Sequence, residues 1–239
     1  MAKFDLAKTE VLTRLFVQPR EPGRGRDEAW RGSFFDAIVD ASLATTPSQL
    51  MQGPDGFPYF VLQLPPAGQP FTPFCVSHIL EHCTDHGYGI VVQPGEGAPQ
   101  WVFTYGDLFS LRAYQSFDGD PVDRQAPAGP PVDVLPKDTQ VMVGAPSEAM
   151  LPPWARHAVA GFLTRVARVG DPRVLVMVEP SRAPGRHLVF NVHPEDFPTD
   201  QAFKAILHAI GWFMPPRRSV IALSRTSGLT DSFVPLVLQ

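Results

Sequence analysis

Arg173-Val-Leu-Val-Met-Val178, a turn from Pro180 to Gly185, and His187-Leu-Val-Phe-Asn-Val192 are the stretch that decides the fold class. Two short runs rich in Val, Leu and Phe, separated by Pro and Gly, read as paired strands. Thr199-Asp200 then starts a helix carrying Phe203, Ile206, Leu207, Ile210 and Phe213, stopped by Pro215-Pro216, and Ser219-Val-Ile-Ala-Leu223 is a further strand. A hairpin followed by a helix and a further strand predicts helices packed on a mixed sheet, the α/β or α+β class.

Upstream the grammar is the same. Val141-Met-Val143 reads as a short strand, and Pro153 opens a helix with Trp154, Ala158, Phe162, Leu163 and Val166 before the stop Gly170-Asp171-Pro172. Proline suits that opening because the first helical turn has no use for its missing N–H. The first half starts with a helical pattern at Leu6, Val11, Leu12, Leu15 and Phe16. Asp27 caps a second helix with Trp30, Phe34, Ala37, Ile38 and Ala41 on one face. Strands are predicted at Pro58–Leu64, Gly89–Gln93 and Gln100–Thr104, with a helix from Gly106-Asp107 to Phe117. No sequence repeat is strong enough to support a duplication.

The 27 prolines are unevenly placed, and from Asp118 to Pro136 they interrupt every helical or strand period. That stretch reads as a semi-extended linker. The expected organisation is an N-terminal α/β domain over 1–118, a Pro-rich linker over 119–138 and a C-terminal α/β domain over 139–239.

With 44% hydrophobic and 18% charged residues, the 239-residue chain has the makings of a folded core. A net charge of −4 without a basic stripe argues against nucleic acid as a partner, because phosphate neutralisation needs clustered Lys and Arg. The first ten residues lack the apolar core of a signal peptide, and no apolar run is long enough to span a bilayer. A cytoplasmic protein without membrane contact is therefore expected. Lys occurs only at positions 3, 8, 137 and 204, and the Arg, Ala and Pro bias points to a GC-rich bacterial genome. Cys75 and Cys83 on one helix would lie about 12 Å apart, too far to bridge, and are expected as thiols.

One string carries a definite chemistry. His78-Ile-Leu-Glu81-His82 places two imidazoles one turn apart beside a carboxylate, an arrangement able to hold Zn²⁺ with Glu81 as general base. Cys75, and His86 further along, add ligand types on the same flank, while Val76, Ile79, Leu80 and Cys83 have core spacing. The string resembles that of the inverzincin peptidases. Their third ligand is a downstream Glu, and the stretch around His157 where it would fall contains none. The resemblance covers fewer than ten residues, so the match is read as coincidental; Cys75, His78 and His82 remain the candidate ligands of a structural zinc.

Nucleotide-binding glycine strings and G-x-S-x-G are absent. Arg225, in the polar segment Ser224–Asp231 after a strand, is a candidate phosphate or substrate contact, although a surface loop is the simpler reading. Glu195-Asp196 reads as an acidic turn, and Trp101, Tyr105 and Trp154 read as core aromatics. The proline-started helix, the Gly170-Asp-Pro-Arg-Val174 entry into a strand, the second strand and the late helix–strand pair resemble the C-terminal region of the SseB family, named for enhanced serine sensitivity in bacteria. The helix Phe34-Phe-Asp-Ala-Ile-Val-Asp40 fits that family's other domain. The resemblance implies a two-domain α/β bacterial protein with no established catalytic residues, so no site residue carries over from it; no cofactor is expected. The expectation is a non-catalytic protein acting through protein or small-ligand contacts; the alternative is a zinc-dependent hydrolase using His78, Glu81 and His82.

Overall fold

The computed structural model describes residues 4–18, 26–94, 98–125, 140–180 and 185–237, which form two compact units, Met1–Thr104 and Tyr105–Gln239. Both are α/β with mixed sheets. Among the described residues, no helix is long and apolar enough to cross a membrane.

The first unit starts with α1 (Leu6–Phe16) and α2 (Glu28–Ile38), each capped by an aspartate. The Asp5 carboxylate accepts from the backbone N–H groups of Ala7 and Lys8, and that of Asp27 accepts from Trp30 at 2.7 Å. Donors that lack helical partners are satisfied in this way. Strands β1 (Leu50–Gln52), β2 (Pro58–Leu62), β3 (Gly89–Val92) and β4 (Trp101–Phe103) pair in sequence order. β2 and β3 are parallel, so the chain must cross over, and α3 (Val76–His86) makes the crossover. Every residue of β3 is buried, as a central parallel strand requires. A side chain at Gly89 would meet the Phe103 carbonyl and the Tyr59 ring at 2.6 Å, so the strand packs there only without a Cβ. Phe34 is fully buried, with Trp30 stacked on it at 5.0 Å and Trp101 at 5.1 Å.

The second unit contains α4 (Tyr105–Tyr114), β5 (Met142–Gly144), α5 (Pro153–Arg165), β6 (Arg173–Val178), β7 (Arg186–Phe190), α6 (Asp200–Trp212), β8 (Ser219–Ile221) and β9 (Val234–Pro235). β6 and β7 form the expected antiparallel pair, with Val174 opposite Phe190 and Val178 opposite Arg186. β7 and β8 are parallel and joined by α6, whose N-cap Thr199 accepts from the Ala202 N–H. β5 and β9 both pair with β6. Neither β1 nor β9 follows from the sequence pattern. The exposed Leu50–Gln52 shows no hydrophobic alternation, and the two-residue Val234–Pro235 is defined only by its neighbour.

The division between the units falls at Thr104/Tyr105, ahead of the proline-rich stretch at 119–138. Helix α4 packs within the second unit: Tyr105 meets Phe213 at 5.2 Å, and the Phe109 ring meets Trp154 edge-on at 4.8 Å. Gly106 lies so close to the Met214 carbonyl that an added Cβ would sit 1.8 Å from its oxygen. The start of the expected linker is also anchored. The buried Arg218 side chain binds Asp120 at 2.9 Å and Asp123 at 2.5 Å, and Arg186 binds the same two carboxylates at 3.1 and 2.6 Å. Arg218 further donates to the Met150 carbonyl and the Tyr114 hydroxyl. Residues 126–139 of that stretch lie outside the described residues.

Candidate functional site

The helix bearing the H-x-x-E-H string is α3; of its expected core face Val76, Ile79 and Cys83 are buried, while Leu80 is only partly buried and Thr84 is buried with the others. Burial pushes the Cys83 thiol up to about 12, which keeps it protonated and inert. Gly87 ends the helix in the left-handed conformation (φ 76°), the usual solution where no Cβ is present.

The candidate metal ligands are placed differently from one another. Cys75 is fully buried at the N-cap, with its sulfur 3.3 Å from the Ser77 hydroxyl. His78 is exposed and touches the rings of Phe4 at 5.5 Å and Phe74 at 6.4 Å. His82 is exposed and lies 4.4 Å from His86, whose Nδ1 donates to the His82 carbonyl. Glu81 faces solvent. Among the described residues, no three His, Cys, Asp or Glu side chains come together in a group able to hold a metal ion.

A crevice of about 490 Å³ opens instead in the second unit, at the carboxyl ends of the parallel strands β7 and β8. Chain ends of parallel strands point their connecting loops to one side, which makes this the customary position for ligands in open α/β sheets. Arg168, Asp171, Asn191, His193, Asp196 and Arg225 line it, with Val169, Val192 and Phe197 as apolar walls.

Each wall has a local cause. After α5 the chain reverses at Arg168, which adopts φ 60°, a left-handed conformation that ordinarily selects Gly or Asn. Asn191 binds the turn that follows: its Nδ2 donates to the Asp171 carbonyl at 2.8 Å, and its Oδ1 accepts from the Arg173 N–H at 2.7 Å. His193 is only 5% exposed. Its Nδ1 lies 2.8 Å from the Leu223 carbonyl, which can only accept. Nδ1 therefore donates in that contact.

The lining charges are mostly committed. Asp171 pairs with Arg173 at 2.7 Å, and Asp196 accepts from Arg225 Nε at 3.1 Å. Burial opposes ionisation of Asp196, but Arg225 and the His193 backbone N–H outweigh it and hold the carboxyl below its usual range. At the mouth, the Ser224 hydroxyl bonds the Glu195 carboxylate and likewise keeps it ionised. Arg168 is exposed, and no hydrogen bond or ion pair engages it among the described residues. The crevice thus combines an exposed arginine, a buried histidine and an apolar wall.

Of these lining residues the sequence singles out Arg225 but not Arg168, Asn191 or His193. Their signal is weak: a Gly170-Asp171 turn and the first residues after a strand. Trp101, Tyr105 and Trp154 pack against other aromatics, and Arg112 covers the Trp154 ring at 4.6 Å. Compared with known protein families, curated proteins and solved structures, the chain shows no significant match. Fold and site therefore define a class only: a two-unit α/β protein with a ligand-sized crevice at parallel strand ends.

Proposed function

We propose that this is a non-catalytic bacterial protein of the cytoplasm, SseB-like in organisation, that works by binding a small ligand in the crevice beyond β7 and β8. The observation that carries the reading is unspent binding capacity on an otherwise satisfied surface. Asp171, Asn191, Asp196 and Arg225 are all engaged with protein partners, whereas Arg168 has none among the described residues. The volume lies in the range of small-molecule sites. The resemblance to the SseB family, which brings no established catalytic residues with it, accords with this.

The test is a thermal-shift screen of metabolites on the wild type and on Arg168→Glu. A ligand that binds the native state stabilises it by RT ln(1 + L/Kd), where L is its free concentration, so Tm rises with the logarithm of that concentration once it exceeds Kd. The expected result is a concentration-dependent rise for at least one compound in the wild type and none in the variant. An equal rise in both would place the ligand elsewhere. Zinc content of untagged protein tests the hydrolase alternative: stoichiometric zinc that disappears in His78→Ala/His82→Ala would replace the non-catalytic reading with a metal-dependent one.

A further inference from the structure

We propose that His82 and His86, at the C-terminal end of α3, chelate a late first-row divalent metal ion, copper(II) most tightly, with water filling its remaining positions.

The pair is made by the helix itself. Side chains four residues apart lie one above the other, and here the two imidazoles meet with ring centres 4.4 Å apart. Two imidazoles bound to one ion at about 2.0 Å, with their bonds at right angles, hold their centres about 4.5 Å apart, and a tetrahedral angle widens this to about 5 Å. The spacing therefore suits the tetragonal geometry of copper(II), which also heads the affinity order for nitrogen ligands. His78, one turn earlier, meets the rings of Phe4 and Phe74, and no ring contact joins it to His82 among the described residues. The structure thus pairs the second histidine of the H-x-x-E-H string with a residue beyond the string, not with the first.

The nitrogens are prepared in different ways. Nδ1 of His86 donates to the His82 carbonyl at 2.8 Å, which orients the ring and leaves Nε2 for a ligand. Metal-bound imidazoles commonly have this second bond to a backbone carbonyl. No hydrogen bond or ion pair engages the His82 ring among the described residues.

The surroundings favour a cation. His86 is the last residue of α3, where the carbonyls form the negative end of the helix dipole. The left-handed Gly87 then turns the chain back, and the Tyr88 N–H binds the Cys83 carbonyl at 2.8 Å. That turn sets the Tyr88 ring 5.6 Å from His86 and 5.9 Å from His82, a wall behind both imidazoles. Both histidines are exposed, so an ion enters from water and exchanges with it. A structural centre would need more protein ligands, and the described residues offer no group of three.

The test titrates copper(II) into metal-stripped, untagged protein, read by calorimetry and electron paramagnetic resonance. One ion per chain is expected, with hyperfine splitting from two imidazole nitrogens and zinc(II) bound more weakly. His82→Asn and His86→Asn should each weaken binding about a hundredfold, because losing one ring turns a chelate into a single contact. His78→Ala should bind as the wild type does, which separates this site from the hydrolase alternative. All three side chains are exposed, so the variants should keep the wild-type Tm.

Copper held equally by all the variants would overturn the proposal, as would binding lost in His78→Ala but kept in His86→Asn. Zinc bound more tightly than copper, or no binding of either ion, would overturn it too. Each of these outcomes concerns α3 alone and leaves the crevice reading where it stands.

Discussion

Both units contain the run helix, two antiparallel strands, crossover helix and parallel strand: α2–β1–β2–α3–β3 in the first and α5–β6–β7–α6–β8 in the second. They differ at the carboxyl ends of their parallel pairs. In the first unit Gln93 ties the two strand ends together, donating its N–H to the Leu62 carbonyl at 2.7 Å and accepting the Leu64 N–H on its side chain at 2.8 Å. In the second, β7 and β8 lead into His193 and Arg225, and the crevice opens between them. The shared order of elements supplies the position for a site. The few residues that follow each strand decide whether it stays open.

The units also differ in how they use charge, and the largest expected effect tests this. Arg218→Ala leaves the buried Asp120 and Asp123 with Arg186 as their remaining guanidinium partner and should cost about 3 kcal/mol, the low end for buried pairs that lose one partner. In the first unit Lys8 and Asp40 pair at 3.0 Å with both side chains about one-third exposed, so Lys8→Ala should cost less than about 1 kcal/mol. Urea unfolding measures both, and equal losses would erase the contrast.

Strand glycines sharpen the comparison next. Gly89→Ala forces a Cβ against the Phe103 carbonyl and Tyr59 and should cost about 1–3 kcal/mol. Gly144 in β5 has open space around it, and Gly144→Ala should stay within about 0.5 kcal/mol of wild type in the same titration. Helix caps should behave alike in both units. Asp27→Ala and Thr199→Ala each remove one side-chain acceptor from a helix start and should each cost about 1 kcal/mol, read as a shift in Tm.

The smallest effect is the acid response. Burial opposes ionisation of Asp120, but the Val122 N–H and the guanidinium groups of Arg218 and Arg186 prevail and lower its pKa. A depressed carboxylate contributes stability above its unfolded pKa, near pH 4, and loses it as pH falls through the folded value. Tm against pH should therefore fall more gently below about pH 4 in Asp120→Asn than in wild type. A parallel fall in both would show that Asp120 is not the responding group.

Much of the fold was legible because its signals are local. The hairpin at 173–192, the proline start of α5 and the Asp27 and Thr199 helix starts all act within a few residues of themselves. The anchored start of the proline-rich stretch was not legible. Asp-Gly-Asp-Pro-Val-Asp has the composition of a linker, and its partners Arg186 and Arg218 lie far along the chain. The crevice was legible only through Arg225. Arg168 and His193 follow no motif, and their roles depend on where α5 ends and on a bond to Leu223.

By itself the sequence determined the α/β class, most element positions and the core face of the H-x-x-E-H helix, because periodicity and capping are properties of neighbouring residues. Only the tertiary structure decided where the units divide, which charges are buried together and which strand ends stay open. Those outcomes depend on residues far apart in the chain that meet only when the sheets are assembled.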